Sequence, residues 1–170
     1  MSCVIVLGCF RSGTSAVAGI LHKLGVHMGN SFDPPSHANP EGFFEDLVFK
    51  KLVEEWSVGK DVKGLVKINS EIRNATHKLW GVKSPKLCVL LNQFIPLTET
   101  DCKVIVCRRP KEDICNSMAK AIGYSSGDQY NVLVEYYLSR MEASLADFSG
   151  PKLEVDFASI MNDPKKEAER

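Results

Sequence analysis

The sequence predicts an α/β domain of three layers, with a central, mainly parallel sheet of about four to five strands and helices on both faces. Three observations predict it. Short apolar runs of strand length recur at 4–7, 80–83, 103–107 and 152–155. Each is followed by a segment whose apolar residues fall at helical spacing, and strands alternating with helices imply parallel β-α-β units. The 170 residues, 44% apolar and 25% charged, suit one domain with a core of its own.

Taken in order, Val4-Ile5-Val6-Leu7 is an apolar run closed by Gly8, as a buried strand would be. An amphipathic helix is expected over 16–24, stopping at Gly25, a residue suited to a helix end. Pro34, Pro35 and Pro40 make 30–42 a loop. Phe44, Leu47, Val48, Leu52, Val53 and Trp56 then recur at helical spacing and predict a helix over 43–56. Residues 57–78 carry no clear period, although 68–79 could be helical. Trp80-Gly81-Val82-Lys83 reads as a short strand broken by Pro85, and 87–94 as a helix ended near Pro96. The clearest second strand is 103–107. Pro110 suits the first turn of a helix over 111–122. A long helix over 128–148, a strand over 152–155 and helix from 156 complete the pattern.

Lys and Arg number 21, as do Asp and Glu, so the formal net charge is zero. That balance argues against a general nucleic-acid coat or a polybasic membrane surface. No apolar run reaches the length of a membrane span. The first residues show neither a basic leader nor a small-residue cleavage site, and the expected location is cytoplasmic. Cys3, Cys9, Cys88, Cys102, Cys107 and Cys115 form no CxxC pair and sit mostly in apolar runs, so they read as buried free thiols of a reducing compartment. His22, His27, His37 and His77 are scattered, and no metal site is expected.

The neutral total hides an uneven distribution. Residues 1–32 contain no acid but include Arg11 and Lys23; 74–98 contain no acid but include Lys78, Lys83 and Lys86; Lys103, Arg108, Arg109 and Lys111 fall in a third acid-free stretch. Acids gather instead between Asp33 and Glu55. A basic pocket beside an acidic flank is the expectation.

Gly8-Cys9-Phe10-Arg11-Ser12-Gly13-Thr14-Ser15 lies between the first strand and the first helix. Such a turn aims several backbone N–H groups at one point on the positive end of the helix dipole, where an anion fits. The pattern is G-x-x-x-x-G-x-[ST], a P-loop in which Thr14 replaces the phosphate-binding Lys and the cation moves three residues earlier, to Arg11. A magnesium-dependent nucleotidase also needs a carboxylate at the end of a second strand. The strand at 103–107 is followed by Arg108 and Arg109 instead, which suit a second anion.

Arg11-Ser12-Gly13-Thr14-Ser15 resembles the 5′-phosphosulfate loop of sulfotransferases that use 3′-phosphoadenosine 5′-phosphosulfate (PAPS), a family with a P-loop-like fold. Other segments match in order. Asn39-Pro40-Glu41-Gly42-Phe43-Phe44-Glu45-Asp46 resembles the acidic loop of bacterial and glycosaminoglycan-type members, and Trp80-Gly81-Val82-Lys83-Ser84-Pro85-Lys86 resembles their Lys-[Ser/Thr/Asp]-Pro motif. Val104-Ile105-Val106-Cys107-Arg108-Arg109-Pro110 onward to Ser117 resembles the 3′-phosphate motif. Val155-Asp156-Phe157 and Asp163-Pro164 resemble the last strand and the turn after it.

The resemblance implies metal-independent transfer of a sulfuryl group from PAPS to a hydroxyl or amine, leaving adenosine 3′,5′-bisphosphate. The acceptor would be a small molecule, a carbohydrate or another hydroxyl or amine compound, with no nucleic acid as partner. Backbone amides of Ser12, Gly13, Thr14 and Ser15, with the hydroxyls of Thr14 and Ser15, would hold the 5′-phosphate and sulfate. Arg11 and Lys83 would neutralise charge on the leaving group. For the 3′-phosphate, Arg108 has the family's spacing to Pro110, but Ser117 lies nine residues after Arg108 where the family has eight. Arg109 has the spacing to Ser117, and Asn116 lies eight after Arg108. Arg108 with Ser117 is the preferred pair, with Arg109 and Asn116 as alternatives. Among Glu41, Glu45, Asp46 and His37, Glu45 is the chosen general base. Residues 30–42 and 123–129, the latter with Tyr124, Ser125 and Ser126, are placed to line an acceptor site. The competing readings are a P-loop nucleotide kinase relative and a non-catalytic nucleotide-binding module. One domain over 1–170 is expected, minimal or truncated at its C-terminal end compared with the family.

Overall fold

The computed structural model describes residues 1–37 and 39–169. Four strands form one sheet: β1 (Ser2–Leu7), β2 (Leu79–Lys83), β3 (Asp101–Arg108) and β4 (Lys152–Asp156), in the order β2-β1-β3-β4. All three pairings are parallel. β1 is buried from Cys3 onward, so the most continuously apolar run takes a central place. Val6 stands opposite Lys83 on one side and Ile105 on the other, and Arg108 stands opposite Asp156.

Side chains alternate between the two faces, as the pleat requires. Cys3, Ile5 and Leu7 join Trp80, Val82, Val104 and Val106 in the larger cluster. It is covered by α2 (Leu47–Ser57), α3 (Lys63–Thr76), α4 (Leu87–Thr98) and α6 (Asn131–Asp147), which bring in Phe49, Val66, Leu91, Phe94 and Met141. Val6, Cys107 and Val155 face the other way, under α1 (Thr14–Lys23) and α7 (Phe157–Asn162). Helix α5 (Lys111–Ala121), a 3-10 turn (Asp128–Tyr130) and α8 (Pro164–Ala168) complete the described chain. This is the three-layer α/β architecture expected from the sequence, with four strands, all parallel.

Three boundaries differ from expectation for local reasons. The helix expected over 43–56 begins at Leu47: Gly42 and Phe44 have positive φ, 90° and 51°, and Asp46 is the N-cap, accepting a bond from the Phe49 N–H at 3.0 Å. The stretch without a clear period contains α3, which buries Val66, Ser70 and Arg73 while Leu65, Ile68 and Ile72 are exposed. Two polar residues on the buried face erase its apolar signal. Helix α4 runs through Pro96 to Thr98; the missing N–H falls in the last turn, where it forfeits one bond.

β1 continues through α1 toward β2, and β3 continues through α5 and α6 toward β4. Because α1 and α6 cover opposite faces, the carboxyl ends of β1 and β3 flank a topological switch point, where open α/β sheets bind ligands. Among the described residues, no helix is long and apolar enough to cross a membrane.

Candidate active site

The loop after β1 needs its glycines. A Cβ on Gly8 would lie 2.5 Å from Ser12 Oγ and 2.8 Å from Thr14 Cγ2. Gly13 has φ 94°, and a Cβ there would lie 2.6 Å from the Phe157 ring. Arg11, between them, also has positive φ, 60°. Ser12 is buried and tightens the turn, its N–H and its hydroxyl both donating to the Cys9 carbonyl, at 3.3 and 2.7 Å. The N-cap of α1 is Gly13, with no side-chain cap and no acid in the first turn. By contrast α2, α7 and α8 are capped by Asp46, Asp156 and Asp163. The positive end of α1 is therefore presented without a neutralising carboxylate.

This helix end opens into a cavity of about 590 Å³. Arg11, Gly13, Thr14, Ser15, Glu45, Lys83, Lys86 and Arg109 line it, with Phe10, Phe44 and Phe157 among its apolar walls. Lys83, at the end of β2, is deeply buried, and its Nζ donates to Glu45 Oε1 at 2.5 Å and to Ser15 Oγ at 3.3 Å. Burial pushes the Lys83 ammonium below its ordinary range, and the adjacent Glu45 carboxylate only partly offsets that.

Glu45 reaches this position because Phe44 precedes it in the left-handed region. The Phe44 ring packs over Gly19 of α1, where a Cβ would lie 2.9 Å from Cε2, and stands 5.7 Å from the Phe32 ring. Asp46, the next residue, belongs to the framework. It accepts from the N–H groups of Asn30 and Phe49 at 3.1 and 3.0 Å and pairs with Arg73 Nη2 at 3.2 Å.

The two arginines after β3 separate as sharply. Arg108 turns to the protein surface, where Glu142 and Glu154 hold it, Nη2 lying 2.8 Å from Glu154 Oε1. These carboxylates push its pKa up. Arg109 lines the cavity, stacks its guanidinium 4.1 Å from the centre of the Phe157 ring, and donates from Nη1 to the Arg11 carbonyl at 2.8 Å. Its Nε is buried with no hydrogen-bond partner among the described residues. Desolvation first, and the Arg11 charge after it, hold the Arg109 pKa below its ordinary value.

Of the residues singled out from sequence, Arg11, Gly13, Thr14, Ser15, Glu45, Lys83 and Arg109 share this cavity. Ser12 supports the loop from beneath. Ser117 accepts a bond from Arg11 Nε at 3.2 Å. Arg108 lies outside the cavity wall, and Asn116 is exposed outside it. Glu41 lines the cavity from an exposed position, whereas His37 is exposed and does not line it. Asp33, Asn39, Glu41 and Gly42 bring the 30–42 loop to the cavity; Ala38, in the same loop, lies outside the described residues. Tyr124, Ser125 and Ser126 are exposed away from it. Phe44, Lys86 and Phe157 carried no assigned role in the sequence, and Gly19 gave no sign beyond a glycine inside a helix. Among the described residues, no group of three or more His, Cys, Asp and Glu side chains is placed to hold a metal ion.

Two solved structures share this architecture. The sulfotransferase domain from the Synechococcus PCC 7002 olefin synthase aligns with 98% of this chain and 70% of its own, at TM-score 0.56 and 17% identity. The sulfotransferase STF1 from Mycobacterium tuberculosis H37Rv aligns with 98% of this chain and 65% of its own, at TM-score 0.64 and 17% identity. No family model matches the chain, and no curated protein matches it. At this identity the likeness is one of fold: the chain has the architecture of sulfotransferase domains.

Proposed function

We propose that this chain is a PAPS-dependent sulfotransferase of the bacterial and glycosaminoglycan-type branch, which transfers a sulfuryl group to a hydroxyl or amine acceptor without a metal. The observation that carries the reading is the buried, unpartnered Nε of Arg109 in the cavity that also receives the uncapped start of α1. An unpaired buried polar atom costs free energy unless a ligand meets it. The residues fit the donor in a second respect. Gly8 and Gly13 let the turn close tightly on itself, since an added Cβ would meet Ser12 and Thr14 or the Phe157 ring, and a turn this tight suits backbone amides aimed at one phosphate.

Bound PAPS supplies the sulfuryl group, its S–O bond to the 5′-phosphate breaking as the acceptor's heteroatom bonds to sulfur. In this reading the amides of Gly13, Thr14 and Ser15 hold the 5′-phosphosulfate. Arg11 and Lys83 counter charge that grows on the bridging oxygen. Arg109 is the better placed cation for the 3′-phosphate, with Ser117 fixing Arg11 through its 3.2 Å bond. Glu45, within reach of both Lys83 and the cavity, takes the proton that the acceptor loses. The same proposal takes 1–170 as one domain and the buried thiols as those of a cytoplasmic protein.

Calorimetry with adenosine 3′,5′-bisphosphate tests the donor site, and no binding at high micromolar concentration would overturn it. Transfer of radiolabelled sulfate from PAPS into a mixed acceptor pool tests the reaction. Arg11→Ala should keep the fold and lower transfer about 100-fold or more; unchanged turnover would remove Arg11 from the mechanism.

A further inference from the structure

At the opposite end of the sheet from the candidate active site, β1 and β3 set two thiols side by side. Cys3 and Cys102 are register partners on adjacent parallel strands. Both project into the larger core cluster. Neighbouring strands run about 4.8 Å apart, inside the Cα separation of about 4.4–6.8 Å that a disulfide spans. The two side chains face each other closely enough that each thiol shifts the ionisation of the other. Cys102 Sγ also lies 3.2 Å from Thr98 Oγ1.

Access differs between them. Cys102 lines a second cavity, of about 960 Å³, together with Thr100, Lys103 and Asp147, whereas Cys3 does not line it and is fully buried. The environments differ too. Burial pushes the thiols of Cys3, Cys9, Cys88, Cys107 and Cys115 up. Cys102 goes down, to about 7, because hydrogen bonds from Cys3 and Thr98 favour its thiolate more than burial disfavours it. A thiolate beside a cavity, with a second thiol paired to it across adjacent strands, is the arrangement of an attacking and a resolving cysteine.

We propose that Cys102 and Cys3 form a peroxide-reactive pair that closes to a disulfide. The Cys102 thiolate attacks one oxygen of hydrogen peroxide; the O–O bond breaks, a sulfenic acid forms, and the departing hydroxide takes a proton to become water. The Cys3 sulfur then attacks the sulfenic sulfur, the S–S bond forms, and the hydroxyl leaves as a second water with the Cys3 proton. Two thiols lose two electrons and the peroxide gains them.

Mild peroxide treatment followed by trypsin under non-reducing conditions reads the result. Peptides 1–11 and 87–103 should appear as one reducible species, with fragmentation placing the bond between Cys3 and Cys102. These peptides also contain Cys9 and Cys88, so a bond located there would overturn the proposal, as would absence of any cross-link. In Cys3→Ser a sulfenic acid should persist at Cys102 and be trapped by a dimedone-class nucleophile; no label there also overturns it. In Cys102→Ser the cross-link should fall to background. Should that variant fail to fold, the wild-type fragment spectrum and the Cys3→Ser label still decide.

Discussion

Glu45 and Asp46 are neighbours in sequence, both buried, both paired with a cation, yet only one faces the cavity. Asp46 is saturated by two backbone amides and Arg73, whereas Glu45 meets Lys83 and the cavity. Arg108 and Arg109 divide the same way. Arg108 is taken up by two surface carboxylates, and Arg109 keeps a buried nitrogen without a partner among the described residues. The lesson is that charge and burial do not mark a site; incomplete compensation does. A framework charge must have its partners supplied by the protein, because an unpaired buried charge is costly. A site charge keeps capacity for a ligand.

The largest effect should come from breaking the saturated member. Asp46→Asn leaves Arg73 buried without its carboxylate and should cost about 3–5 kcal/mol of stability, read by urea denaturation. Glu45→Gln should cost less than half as much, because Lys83 already has a depressed pKa and sheds its proton more readily. Equal losses would end the distinction between the two acids.

Next in size is the arginine pair. Arg109→Ala should weaken binding of adenosine 3′,5′-bisphosphate by roughly 10- to 100-fold, the range of a charged hydrogen bond, while Arg108→Ala should change it by less than about threefold, in keeping with an exposed ion pair. Calorimetry on both variants measures the contrast, and similar losses would assign both arginines to one site.

Gly19→Ala sharpens the cause of the split between residues 45 and 46. The added methyl meets the Phe44 ring at 2.9 Å and should cost about 1–2 kcal/mol through overpacking. Pairing it with Phe44→Leu should recover part of that loss in the same denaturation experiment; a purely additive double variant would mean that Gly19 does not hold Phe44.

The smallest effect is a slope. A lysine held below its ordinary value of 10.5 binds fewer protons folded than unfolded between its two pKa values. Its contribution to stability therefore rises with pH in that window, and Lys83→Met should flatten the rise. The raised cysteines act in the opposite sense above about pH 9, so the difference between wild type and variant is the quantity to measure. Parallel curves would show that Lys83 titrates normally.

Much of the fold was legible because it follows from periodicity. The apolar runs at β1 and β3 and the Gly8 and Gly13 turn each express a local requirement that any chain of that pattern must meet. α3 was legible only in part, as helix over 68–79 where it runs from Lys63 to Thr76, since Ser70 and Arg73 interrupt the apolar face that spacing would reveal. Within the site, the loop of Arg11 to Ser15 and the motif residue Lys83 were visible as types in an order. That Ser117 meets Arg11, across 106 positions, was not.

By itself the sequence determined the alternation of strands and helices, the glycine-bearing turn on the first strand, and the concentration of cations in acid-free stretches around a neutral total. These depend on neighbours in the chain. The tertiary structure alone decided which member of each adjacent pair faces the cavity. In 45–46 that choice rests on the Phe44 backbone and its seat over Gly19; in 108–109 it rests on Glu142, Glu154 and the Phe157 ring. A side chain's direction at an element's end is set by partners distant in sequence, and no local pattern carries that information.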